Sequence, residues 1–124
     1  MQKQINDINK NVMIIYFAPI PNFEDTFPSA SDCLINDVNC YKPFFQEINK
    51  RKDVMNMLQE IVSINDNVYM YDPARNLCEN SNCIMFDKLN NKLIYNSTHL
   101  HQEGSIYLKK YFRNWLLQKG IVIL

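Results

Sequence analysis

Val12-Met-Ile-Ile-Tyr-Phe-Ala-Pro-Ile-Pro21 is the stretch on which the fold turns. Residues 12–18 are apolar without a break, the run has the length of a strand, and Pro19 and Pro21 stop it. A strand apolar on both faces belongs in the middle of a sheet with helices on either side, the habit of parallel α/β proteins. The stretch therefore predicts an α/β fold.

The flanking segments agree. Residues 2–10 are polar except for Ile5 and Ile8, an i, i+3 pair that reads as the last turns of a helix beginning before Met1. Residues 22–40 are rich in Pro, Asp, Asn and Ser and read as a long surface loop, of the kind that often borders a binding site. Residues 41–64 carry Phe44, Phe45, Ile48, Met55, Leu58, Ile61 and Val62, the stripe of an amphipathic helix with Pro43 in its first turn and a kink near Lys50 to Asp53. The charge run Glu47 to Asp53 is predicted to be a solvated face of that helix. Val68-Tyr-Met-Tyr71 is a second strand, stopped by Asp72-Pro73. Cys78 to Cys83 closes a short loop, and residues 84–95 read as two brief extended pieces around an Asn-Asn turn. Finally, residues 102–119 place Ile106, Leu108, Tyr111, Phe112, Trp115 and Leu116 on a helical period, with Gly120 as the stop and residues 121–124 extended. Tyr111, Phe112 and Trp115 are predicted to cover the sheet as core, not to form a platform for sugars.

Composition narrows the function. One domain fits in 124 residues, and 47% hydrophobic with 21% charged residues is ordinary for a globular chain. Thirteen basic against thirteen acidic residues leave no net charge, so the footprint of a nucleic-acid binder is missing. The apolar runs fall well short of the ~20 residues of a spanning helix, which predicts no direct membrane insertion of this segment. The N-terminus has no apolar core or cleavage site of a signal peptide, so no targeting signal lies in the chain itself. Only Gly104 and Gly120 occur, which excludes the glycine-rich loops that cradle nucleotide phosphates. No cofactor is expected.

Two histidines, His99 and His101, lie in Tyr95-Asn-Ser-Thr-His-Leu-His-Gln-Glu-Gly-Ser105, between a strand-like piece and a helix. A histidine there has its backbone fixed on both sides while its ring reaches the sheet edge, which suits a general base. The plainer alternative is that His99 caps the helix or packs beneath it. Asp72 and Arg75, in the loop after a strand, either lie near the site or serve as structural loop contacts, the second being the plainer reading. Asn96-Ser97-Thr98 fits a glycosylation sequon, a chance match in so Asn-rich a chain.

The run 95–105 resembles the last motif of the SGNH hydrolase superfamily, Tyr-Asp-x-x-His-Leu-Ser-x-x-Gly in the form used by the acyltransferase-3 group. The likeness continues upstream. Ile14-Ile-Tyr-Phe-Ala-Pro-Ile-Pro21 is similar to that group's strand ending in Pro-x-Pro, and Asp72-Pro-Ala-Arg-Asn-Leu-Cys78 with Cys83 is similar to its Asp-Pro-x-x-x-Leu-Cys segment with a second cysteine. Cys33 and Cys40 fall where that group has a cysteine loop. The resemblance covers roughly residues 12–115.

It implies a flavodoxin-like SGNH domain that adds acyl groups, usually acetyl, to carbohydrate hydroxyls or removes them. It also implies a membrane acyltransferase domain in the full-length protein and an extracytoplasmic location. His99 becomes the base of a serine triad, and Asn96 stands where the group has an aspartate to orient that base. An amide can orient the ring but supplies no charge, and in serine proteases the corresponding change from aspartate to asparagine lowers kcat by ~10⁴. No Gly-Asp-Ser nucleophile block occurs, and none of the six serines follows a strand with a glycine before it.

The expected unit is therefore residues 1–124 as the C-terminal part of one SGNH-type domain, a parallel sheet incomplete at its N-terminus. Alone it would be inactive for lack of the serine; the alternative is a non-catalytic or degenerate module that binds a glycan or protein partner. For the cysteines the pairing Cys33–Cys40 and Cys78–Cys83 is favoured by the resemblance, since an extracytoplasmic compartment oxidises thiols. One shared zinc ion and free buried thiols are the other two arrangements, though only Cys78-x4-Cys83 has a spacing near that of a zinc ribbon.

Overall fold

The computed structural model describes residues 2–8, 11–21, 41–79, 82–84 and 99–121. Its elements, in chain order, are α1 (Gln2–Asn6), β1 (Ile14–Phe17), β2 (Tyr41–Pro43), α2 (Phe44–Ile64), β3 (Val68–Tyr71), α3 (Ala74–Leu77), β4 (Cys78–Glu79), β5 (Asn82–Ile84) and α4 (Gln102–Gln118). The strands β1 and β3 pair in parallel, Ile14 against Val68 through Phe17 against Tyr71. Since α2 connects them, the unit is β-α-β, and the expected α/β class with a parallel sheet flanked by helices holds.

Alternation along the two strands sends neighbouring side chains to opposite faces. On one face Val68 packs with Ile5 of α1 and Ile61 of α2, and Ile14, Tyr16 and Val62 close around them. On the other face Tyr69, Tyr71 and Phe17 meet Phe112 and Trp115 of α4, with ring centroids 4.9 to 6.5 Å apart and mostly edge-to-face. Helices therefore cover both faces, as the apolar run predicts. Coverage thins at the ends: Val12 and Met13 lie outside β1 and are about half exposed, and Phe17 is 59% exposed.

Helix α2 runs without interruption from Phe44 to Ile64, with no break at the charge run. It starts three residues later than expected because Tyr41–Pro43 form a strand, antiparallel to β5, which in turn pairs antiparallel with β4. This second, three-stranded sheet, in the order β2-β5-β4, has no counterpart in the sequence pattern. Ile48, expected on the buried stripe, is 52% exposed. Four residues of β3 span only ~13 Å, whereas ten residues of α2 from Ile61 back to Arg51 already span ~15 Å, so Ile48 projects past the sheet.

The same geometry overturns the solvated-face reading of the charge run at one position. Arg51 is buried, with 6% exposure, at the rim of the sheet. In α4 the buried residues are Gly104, Leu108 and Leu116, and Ile106 is 56% exposed because two residues turn it to the far side of Leu108. The helix stops as expected: Gly120 has φ +72, which turns the chain so that the Ile121 N–H reaches back to the Leu116 carbonyl at 2.9 Å. Residues 22–40, the stretch 85–98 and the tail 122–124, on which the long loop, the Asn-Asn turn and the extended C-terminus are expected, lie outside the described residues.

Candidate active site

Helix α4 runs antiparallel to β3. Tyr107 near its start reaches the Asn76 carbonyl at 3.5 Å, Phe112 lies against Tyr71, and Trp115 further on lies against Tyr69. Its first turn therefore stands at the carboxyl end of the parallel strands, the end at which open α/β sheets bind their ligands. Residues 18–21 leave β1 at this end, with Ala18 and Pro21 buried, and Asp72-Pro73-Ala74 leave β3 there.

His99 precedes α4 by three residues and is exposed. It does not cap the helix. That position belongs to His101, whose extended backbone (φ −70, ψ 162) lets its carbonyl accept the Ser105 N–H at 3.1 Å. Asn96 lies outside the described residues, as do Cys33 and Cys40.

The loop after β3 is fixed by groups that the sequence hides. The Asp72 carboxylate accepts from the Ala74 N–H at 3.1 Å and pairs with the Arg51 guanidinium of α2. With side-chain exposures of 6% and 11%, the pair is largely out of water. Arg51 also donates to the Met55 sulfur, and its Nε is buried with no partner among the described residues. Asp72 is thus a structural loop contact, as predicted. Arg51 is concealed inside a charged run, yet its spacing of four from Met55 and seven from Leu58 puts it on the apolar stripe.

Next to this pair, the buried Tyr71 hydroxyl donates to Asn76 Oδ1 at 2.7 Å. Burial first, then the Asp72 charge and Tyr111, push the Tyr71 phenol up from 10.0 to about 12. It is a neutral donor across the physiological range, not a base.

Cys78 and Cys83 face each other across β4 and β5 and form a disulfide. That removes both from a shared four-cysteine zinc site. Among the described residues no group of three or more His, Cys, Asp or Glu could hold a metal ion. Among the same residues no helix is long and apolar enough to cross a membrane.

The parallel β-α-β core, with helices on both faces, places the chain among α/β proteins. The family model described as SGNH domain (fused to AT3 domains) matches residues 1–114, and the chain belongs to this family. Membership supports a hydrolase- or acyltransferase-like module, and the family's fusion to AT3 domains supports a membrane acyltransferase partner domain. No curated protein and no solved structure matches the chain.

Proposed function

We propose that residues 1–124 form the C-terminal, histidine-bearing part of an SGNH module that moves acyl groups, acetyl foremost, onto or off hydroxyls of cell-surface glycans outside the cytoplasm. The observation that carries this reading is the exposed His99 just ahead of α4, at the carboxyl end of β1 and β3. His99 is the general base. It takes the proton of a serine hydroxyl as that oxygen attacks the acyl carbonyl, then returns it to the departing alcohol. Asn96, three residues earlier, orients the ring through its amide oxygen. The serine itself comes from a Gly-Asp-Ser block that this sequence does not contain. Fusion of the family to AT3 domains supports a membrane acyltransferase domain as the source of acyl groups.

The test is acyl transfer or ester cleavage by a protein that unites this chain with such a serine. His99→Ala should abolish turnover. Asn96→Asp should raise kcat more than it changes KM, because the imidazolium it would stabilise exists only on the way to the transition state. The chain by itself should take no serine-directed fluorophosphonate label. Full activity of His99→Ala would overturn the assignment and favour a module that only binds.

A further inference from the structure

Strand β3 bonds to β1 through alternate residues: the Asn67 carbonyl accepts from Ile14 and the Tyr71 carbonyl from Ala18. The peptide groups of the alternate residues, Val68 and Met70, therefore point away from β1, toward the opposite edge of β3, where the Val68 N–H is already taken by the Asn65 carbonyl. Along that edge runs a groove of about 590 Å³, within the ~300–1,000 Å³ of ordinary ligand sites. One wall is α2 and the other is α4, and α3 closes the end nearest Asp72.

The chemistry of the walls is specific. Four carboxamides face the groove, Gln59 from α2, Asn76 from α3, and Asn114 and Gln118 from α4. A carboxamide offers a donor pair and an acceptor side by side, the match for neighbouring hydroxyls on a sugar ring. Trp115 and Met70 supply apolar surface for C–H groups. Trp115 is not a stacking platform, because it lies nearly parallel to Phe112 at 5.9 Å within the core.

Charge sets the class of sugar. The described lining residues include two cations, Arg75 and Lys119, and one carboxylate, Asp72, which Arg51 already neutralises. The groove is thus cationic in a chain of no net charge. We propose that it binds an acidic oligosaccharide, one bearing uronate or similar anionic groups. This inference rests on the glycan reading above and names the substrate class of the same module. An extended peptide could pair with the same edge, but it would require side-chain pockets repeating every second residue, and the amide-lined walls favour a polyol.

The experiment is titration of the 124-residue chain with hexagalacturonate, cellohexaose and hexaglutamate, followed by Trp115 fluorescence and by the side-chain amide signals of Asn114 and Gln118. Hexagalacturonate should bind and move those signals, cellohexaose should bind at least about tenfold more weakly, and Arg75→Gln/Lys119→Gln should lose about tenfold for the acidic sugar. Equal binding of hexaglutamate would mean that charge or strand pairing alone is recognised, and equal binding of cellohexaose would remove the role of the cations. Either result overturns the proposal, as does no binding. Absent binding with His99-dependent turnover would sink the groove and leave the proposed function standing. Binding with turnover indifferent to His99 would do the reverse.

Discussion

Asp72→Asn exchanges one oxygen for an NH2 group, yet it should cost about 3 kcal/mol of stability, because it leaves the Arg51 charge buried without its counter-ion. Arg51 is 6% exposed, and its other polar contacts among the described residues reduce to the Met55 sulfur. Removing one member of such a pair costs about 3–5 kcal/mol in buried settings, and the 11% exposure of Asp72 argues for the lower end. The asparagine keeps an oxygen for the Ala74 N–H, so the loss reports the charge and not the turn. Arg51→Met should cost a similar or slightly smaller amount, since the carboxylate left behind still accepts from Ala74 and sits nearer to water. The double variant replaces the pair by a thioether and an amide and should fall within about 1–2 kcal/mol of the parent. A cycle of urea titrations read by the single Trp115, which packs on Tyr71 beside Asp72, should then give a coupling of about 4 kcal/mol. A domain with about 5–15 kcal/mol to spare stays folded throughout. Additivity of the two single costs to within about 0.5 kcal/mol would refute the reasoning and make the contact incidental.

Other consequences are more local. Peptide mapping without reductant should find Cys78 linked to Cys83 and Cys33 to Cys40; four thiols open to alkylation, or a stoichiometric zinc, would exclude this. Replacing Cys78 and Cys83 by serine should lower stability by about 2 kcal/mol, the modest effect of so short a loop, measured as a shift in urea midpoint. Because Tyr71 is raised from 10.0 to about 12, its contribution is complete below pH 10 and is lost as pH climbs toward 12, at about 1.4 kcal/mol per pH unit. In Tyr71→Phe that component of the alkaline slope should vanish, and an unchanged slope would assign it to other groups. Gly120→Ala should cost about 1 kcal/mol with an unaltered urea slope, since φ +72 strains any side chain while nothing lies within 4 Å of the new methyl.

What the sequence disclosed, and what it hid, divides along local and long-range causes. The strand at Val68–Tyr71 and its stop at Asp72-Pro73 follow from aromatic and β-branched residues and from proline, all within six positions, and the structure reproduces them. The end of α4 at Gly120 is equally local. Tyr41–Pro43 misleads because a three-residue strand that contains proline has no pattern of its own. It is a strand only because Asn82–Ile84, forty residues later, lies beside it. Arg51 misleads in part for the same reason: its spacing from Met55 and Leu58 puts it on the apolar stripe, but among Lys50, Lys52 and Asp53 its charge hides this, and the partner that neutralises it lies twenty-one residues away. For the candidate site, the choice of His99 rests on its neighbours Leu100, Gly104 and Ser105, whereas Arg51, Tyr71 and Asn76, which fix the loop after β3, give no local signal of that role in the sequence.

That loop links the fold to the chemistry. Asp72 ties the end of β3 to α2 through Arg51, Tyr71 ties the strand to Asn76, and Tyr107 reaches the Asn76 backbone from the first half of α4. The start of α4 is thereby registered against the carboxyl end of the sheet by polar contacts in addition to the aromatic packing lower down. A general base needs such registration, because proton transfer demands that the ring nitrogen come within about 3 Å of the hydroxyl it serves. Apolar packing alone allows small slides between a helix and a sheet, whereas a buried ion pair and a tyrosine hydroxyl with one acceptor each favour a single setting. On the proposed assignment of His99 as general base, the buried Arg51–Asp72 pair and the Tyr71–Asn76 bond thus serve to fix the loop at the carboxyl end of β3 beside which α4 begins.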